Sequence, residues 1–187
     1  MSELRELVEH RPLEGRLVRL RPRDMEDEPA LHSWINDPDV TQNLAARYPY
    51  SHEAEREFVK SLRDTNYKNA GFGIETLAEG KLIGNLGFHE TEAESRRATL
   101  GIMIGEKDYW DRGYGTDAMR VLCRFGFEMM NLHRIELEVL AVNARARRVY
   151  EKVGFQFEGT RRDAFYKFGR YIDAHVMSLL EGELRWD

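Results

Sequence analysis

Arg112-Gly113-Tyr114-Gly115 stands where an apolar run ending at Ile104 gives way to a long segment with helical spacing. Two glycines and an arginine at a helix start let backbone N–H groups turn toward a ligand. Those first N–H groups have no intrahelical acceptor and sit at the positive end of the helix dipole, so a phosphate is the natural guest. The whole stretch Ile104–Ala118, IGEKDYWDRGYGTDA, is therefore the first candidate site. Farther on, Asn143 precedes a short helical pattern and reads by type as its N-cap. Tyr150 lies on the apolar stripe of that same helix, where core packing is the ordinary role. Glu136 and Glu138 share one face of an extended run, and Glu90, Glu92 and Glu94 fall in an exposed turn able to attract a cationic molecule. The six histidines show no metal-ligand spacing, so no metal site is expected.

These residues need elements to hold them. Arg16–Arg21 alternates and reads as a first strand, with Val18 and Leu20 on one side and Pro22 ending it. Asp24 is a candidate N-cap for a helix running to Ile35, stopped by Asn36-Asp37-Pro38. Ser51 caps a second helix, roughly His52–Arg63, with Phe58, Val59 and Leu62 as its stripe. Ala54 three residues on cannot complete a capping box. Gly71–Thr76, Lys81–His89 and Ala98–Ile104 then follow as three extended runs with short turns, which predicts consecutive antiparallel hairpins. A helix near Thr116–Met130 carries Ala118, Val121, Leu122, Phe125 and Met129 at helical spacing. Ile135–Leu140 is the next strand, the Asn143 helix closes at Gly154, and two strands end the pattern, Phe155–Tyr166 and Tyr171–Leu180. The order β-α-α-β-β-β-α-β-α-β-β predicts a mixed α/β domain.

The totals set outer limits. A chain of 187 residues is expected to form one domain, residues 1–187, with residues 1–15 as a loose lead-in. A chain this long buries roughly 70% of its unfolded surface and needs neither disulfides nor metal to fold. The single cysteine, Cys123, sits in an apolar helical segment and reads as a core residue of a protein in a reducing compartment. Net charge −5 argues against nucleic acid as a partner. No apolar run approaches 18 residues, and the N-terminus lacks an apolar h-region, so a cytoplasmic protein with no membrane attachment is expected. A homodimer is compatible with the chain but not specified by it.

Two phosphate ligands compete for the loop. Gly113–Ala118 literally fits G-x-G-x-x-G/A, with Glu136 and Glu138 about 20 residues on. That dinucleotide pattern needs its first glycine directly after the strand, yet eight residues separate Ile104 from Gly113, and a terminal hairpin replaces the βαβ units it expects. A Walker loop is excluded, since no Gly-Lys-Ser/Thr occurs. The other candidate is coenzyme A, whose pyrophosphate also needs N–H donors. Arg112–Ala118 (RGYGTDA), followed by Asn143–Phe155 (NARARRVYEKVGF), resembles the GCN5-related N-acetyltransferase (GNAT) superfamily over nearly the whole chain, from Leu13 to Leu180. Within it, the chain is most similar to the group that acetylates ribosomal-protein N-termini and to spermidine acetyltransferases.

The resemblance implies a central, mostly antiparallel twisted sheet of about six to seven strands flanked by about four helices. It implies direct transfer from acetyl-CoA to a primary amine, either a protein N-terminal α-amine or a polyamine or other small amine. Ile102, Met103 and Ile104 would offer backbone groups to the acetyl and pantetheine arm. The amides of Arg112, Gly113, Tyr114, Gly115 and Thr116 would hold the pyrophosphate, Asn143 would bond the pantetheine arm, and Tyr150 would protonate the leaving thiolate. Two departures stand out: Trp110 replaces the usual Gln or Arg three residues before the first glycine, and Thr99 stands where similar spermidine acetyltransferases carry a glutamate. Glu136 and Glu138, and more weakly His89, are the replacement candidates for the base. Arg145, Arg147, Arg148 and Lys152 form a cationic helix face, either solvated or in contact with a cofactor phosphate. The acceptor is expected between the Asn43–Tyr50 loop and the Phe165–Tyr171 hairpin, where Tyr48, Tyr50, Phe165, Tyr166 and Phe168 are available as a wall or as packing. A non-catalytic acyl-CoA-binding module of the same fold is the competing reading.

Overall fold

In the computed structural model the described residues are 11–61, 66–68 and 70–186. Seven strands form one sheet: β1 Val18–Arg21, β2 Ala70–Thr76, β3 Leu82–Glu92, β4 Arg97–Ile104, β5 Arg134–Leu140, β6 Gln156–Lys167 and β7 Arg170–Leu180, in the order β1-β2-β3-β4-β5-β7-β6. All neighbours pair antiparallel except β4 and β5, which run parallel. The described residues form five α-helices: α1 Glu28–Ile35, α2 Pro38–Thr41, α3 His52–Ser61, α4 Tyr114–Glu128 and α5 Ala144–Val153. The additional one, α2, is a single turn, started by Pro38 and capped by the Asp37 side chain on the Asp39 amide.

The Asp24 start is taken by a short 3₁₀ turn, Met25–Asp27, that leads into α1, and the Asp27 carboxylate accepts from the Asp24 amide at 2.9 Å. Ser51 caps α3 through its hydroxyl, 3.1 Å from the Ala54 amide. The remainder of the stripe expected there, Leu62 and Arg63, lies outside the described residues. α4 begins two residues ahead of expectation because Gly113 adopts φ +90°, a left-handed conformation that side chains other than glycine's rarely tolerate. That bend lets the helix start immediately after the glycine.

α4 packs its Ala118, Met119, Val121, Leu122 and Cys123 face against the sheet, meeting Val18, Ile74, Phe88 and Leu100 in the main core. Each large side chain fully buried there stabilises the fold by about 1.5–3 kcal/mol. A second cluster, Leu31, Trp34, Val40, Val59 and Met103, joins α1, α2 and α3 to the sheet. Met103 serves this cluster because, three residues from Leu100 on the same strand, it points to the opposite face.

The segment before β1 is not loose in its described part. Leu13 packs on the core, the Leu20 amide bonds the Leu13 carbonyl at 2.8 Å, and the Arg124 guanidinium donates to the Arg11, Pro12 and Glu14 carbonyls. Buried Asp117 on α4 then accepts three amides, from Arg16, Leu17 and Val18, at 3.1, 2.7 and 3.0 Å. A Cβ at position 15 would lie 2.4 Å from that carboxylate, so Gly15 leaves room for the tether. Residues 1–10 lie outside the description.

Candidate active site

β4 and β5 hydrogen-bond only between Arg97–Thr99 and Arg134–Glu136. Beyond that short pairing the two strands diverge, and the facing edge of β4 from Leu100 to Ile104 has no strand partner on the β5 side. The wedge so formed opens into a groove of about 970 Å³, lined by Leu100–Ile104 on one wall and Glu136–Leu140 on the other. Ile102, Met103 and Ile104 all line it. An extended ligand arm can therefore replace the missing strand and use the open backbone groups of β4.

The glycine loop closes one end. Gly113, Gly115 and Thr116 line the groove. The Asp117 amide makes the helix bond back to the Gly113 carbonyl at 3.0 Å, so the Gly115 and Thr116 amides precede the ladder and face outward as donors. The side chains of Arg112 and Tyr114 are not in the lining. Arg112 donates to the Asp108 carbonyl at 3.1 Å and lies over the Tyr109 and Tyr114 rings, and Tyr114 packs edge-on against Tyr109. Trp110 closes the same end from the side: its indole N–H donates to the Ile104 carbonyl at 2.9 Å, and the Arg145 guanidinium sits 4.4 Å over its ring. Arg145, Arg148 and Lys152 of α5 line the groove, whereas Arg147 turns to Glu151 and Phe157. Arg145 thus brings a guanidinium to a loop end rich in N–H donors.

α5 contributes the opposite wall. Asn143 caps it, its side-chain oxygen accepting the Ala146 amide at 3.1 Å, and the carboxamide NH₂ makes no hydrogen bond to a described residue. Gly154, with φ +119°, ends the helix after Val153. Tyr150 is 9% exposed, leans on Phe155 and Val153 in the core, and still reaches the groove lining. Burial pushes its phenol up to about 12. Its hydroxyl has no hydrogen-bond partner among the described residues, so its proton is held and free to be donated.

Asn43, Leu44, Ala45, His89, Glu90, Arg161 and Phe165 line the groove as well. Of the five aromatics anticipated as a wall, Phe165 alone lines it; Tyr48 and Phe168 are 79% and 72% exposed. The two expected walls are tied together, since the Lys167 ammonium of the β6–β7 hairpin donates to the Thr41 and Leu44 carbonyls at 2.6 and 2.7 Å. Glu136 and Glu138 both line the groove, but each already holds a cation. Glu136 accepts from Arg134 at 2.9 Å and lies 3.5 Å from Arg97, and Glu138 is ion-paired with Arg161. A carboxylate whose oxygens bind guanidinium is poorly placed to take a proton. Thr99 pairs in register with Glu136, and its hydroxyl donates to the Glu90 carboxylate at 3.2 Å. Neither the Trp110–Arg145 stack nor the Thr99–Glu90 contact leaves a local signal, because each joins separate elements.

A family model described as an acetyltransferase (GNAT) domain matches residues 17–156. The chain belongs to the GNAT acetyltransferase family. An uncharacterized N-acetyltransferase, p20, of Bacillus licheniformis is 30% identical over 169 residues, 89% of this chain and 94% of its own. YdaF of Bacillus subtilis, provisionally named a ribosomal N-acetyltransferase, is 32% identical over 165 residues, 88% of this chain and 86% of its own. Among solved structures, the spermidine N-acetyltransferase of Vibrio cholerae in complex with CoA and spermine superposes with a TM-score of 0.81 at 26% identity, covering 89% of this chain and 96% of that one. This GNAT chain is an N-acetyltransferase with acetyl-CoA as co-substrate. The groove fits that molecule: unladdered helix amides stand at one end with Arg145 beside them, Arg148 and Lys152 line it too, and an unpaired strand edge runs inward. No helix among the described residues is long and apolar enough to cross a membrane.

Proposed function

We propose that this enzyme transfers the acetyl group to a primary amine, a peptide N-terminus or a small polyamine-like amine, by direct attack on the thioester. The observation that carries the reading is Tyr150, a buried phenol with an unengaged hydroxyl in a groove whose opposite wall is the open edge of β4. Acetyl-CoA supplies an activated acyl group. The chain's residues do the rest. The Gly113–Thr116 amides and α5 cations bind phosphates, β4 aligns the arm from Ile102 to Ile104, and the Asn143 NH₂ donates to it. Aligning two reactants in this way supplies several kcal/mol of the barrier reduction.

Tyr150 is the candidate proton donor to the leaving sulfur. A thiol of pKa about 8.5 in water is a stronger acid than this phenol, and complete transfer to a solvated thiolate would cost about 5 kcal/mol. Donation therefore belongs to the moment of C–S cleavage, inside a groove that disfavours the bare thiolate as it disfavours a bare phenolate. Because the phenol is raised to about 12, activity is expected to show no loss from its ionisation below about pH 10. A fall in kcat centred near pH 8 that disappears in Tyr150→Phe would contradict this.

The acceptor arrives protonated in either case. A lysine-like amine of pKa about 10.4 costs about 4.6 kcal/mol to neutralise at pH 7, and an α-amine near 8 only about 1.4 kcal/mol, which favours the α-amine on proton cost alone. A thiol-release assay with acetyl-CoA against spermine, N-terminal peptides and aminoglycosides tests the reading; turnover on a primary amine is expected. Tight CoA binding with no turnover on any member would favour the acyl-CoA-binding module instead. The lone, fully buried Cys123 suits a reducing compartment such as the cytoplasm.

A further inference from the structure

Five carboxylates line the groove: Asp39, Glu90, Asp111, Glu136 and Glu138. Four of them hold a cation. Asp39 pairs with Lys107 at 2.8 Å, Asp111 with Arg145 at 3.7 Å, Glu136 with Arg134 and Arg97, and Glu138 with Arg161. Glu90 has no cationic partner among the described residues, and accepts only from the Thr99 hydroxyl.

Its position is built. Between His89 and Glu92 the β3–β4 register shifts, and Glu90 there takes φ +51°, a left-handed conformation that a glutamate adopts at a cost. A bulge of this kind re-aims a side chain. Here it swings the carboxylate onto Thr99, the last residue of β4 before β4 and β5 part. The groups around it are accounted for. Arg97 is engaged by Glu92 at 2.6 Å and Glu136 at 3.5 Å, and His89 lies over Gly101 beside the same opening.

We propose that Glu90 is the acceptor-side carboxylate: it receives the substrate ammonium at the vertex of the wedge and takes its proton, directly or through one water. The assignment rests on the acetyltransferase reading above and adds to it the residue that receives the protonated amine. Two protons leave the ammonium nitrogen. The first goes to Glu90 and frees the lone pair; nitrogen then bonds the carbonyl carbon and the C–S bond breaks. Tyr150 gives its proton to the sulfur. Of the two protons from nitrogen, one restores Tyr150 and the other reaches solvent from Glu90, leaving amide, thiol and one released proton.

Glu90→Gln keeps the shape and the Thr99 contact while removing the charge and the basic oxygen. With trialanine or spermine as acceptor, it is expected to lower kcat/KM for the amine by about 30-fold or more at pH 7, with acetyl-CoA affinity unchanged. The deficit should shrink several-fold at pH 9.5, where more of the amine is already neutral. Glu94→Gln, which removes the same charge from the turn that follows β3, should match wild type. Spermine binding to the CoA-loaded enzyme should weaken about tenfold in Glu90→Gln. Near-wild-type kcat/KM, a deficit independent of pH, or unchanged spermine binding would overturn the proposal. Wild-type protein inactive on every amine would instead count against the acetyltransferase reading, and the spermine titration would still decide Glu90.

Discussion

Trp110 holds two groups at once, the Ile104 carbonyl through its N–H and the Arg145 guanidinium on its ring face. It thereby fixes the end of β4 and prepositions a cation beside the glycine loop. Trp110→Ala should weaken acetyl-CoA binding several-fold, the scale of one partly exposed cation–π contact, and Trp110→Phe, which keeps a ring, should lose less. Titration calorimetry with CoA checks both; equal affinity in all three proteins would remove Trp110 from the site. At this scale the sequence showed which residues were unusual but not how they were used. Trp110 stood out as a departure in the loop, yet its two partners come from a strand end and from the next helix but one strand away. Glu136 and Glu138 were legible as groove-facing by alternation. That Glu136 is also engaged by Arg97, and Glu138 by Arg161, was not, because those two arginines belong to other strands.

Helix α4 is fastened to the strand edge by Asp117, which sits in the motif where a small or apolar residue would suit the helix stripe. Its carboxylate accepts three backbone amides ahead of and within β1. Asp117→Asn turns one acceptor into an NH₂ facing those amides, and should destabilise the protein by about 2–4 kcal/mol. For a domain of this size that lowers the melting temperature by several degrees. An unchanged Tm would show that the tether contributes nothing. Elements themselves were largely readable, since period and caps are local: Ser51, Asn143 and Gly154 act as their residue types suggest. Tertiary contacts decide what local pattern leaves open. The lead-in at Leu13–Gly15 has no period of its own and is ordered by Arg124 and Asp117 on a distant helix.

The whole molecule depends on one irregularity, the parallel join of β4 to β5 in an otherwise antiparallel sheet, which parts after three residue pairs. Local patterns predict hairpins, and so gave the order of strands along the chain but not this insertion or the wedge it creates. Beyond β5 the sheet is clamped by Arg134, which holds Glu136 and Glu158, with Ser178 donating to Glu158 at 2.7 Å. These partners, Arg134 foremost, pull the Glu158 carboxyl down from 4.5 to about 2. A depressed carboxyl stabilises the folded state above its ordinary pKa, and that contribution is lost as pH falls from about 4.5 toward 2. Since the side chain is 39% exposed, solvent screens much of it. Glu158→Gln should therefore melt modestly below wild type at pH 7, with the gap closing by pH 2; a constant gap would contradict the linkage. The central claim, that the wedge brings the acyl carbon under a proton-donating Tyr150, is tested most directly by Tyr150→Phe, with kcat from thiol release and CoA affinity measured on the same protein. The expected result is a kcat lower by about 10²-fold or more with affinity nearly unchanged, and an undiminished kcat would contradict it.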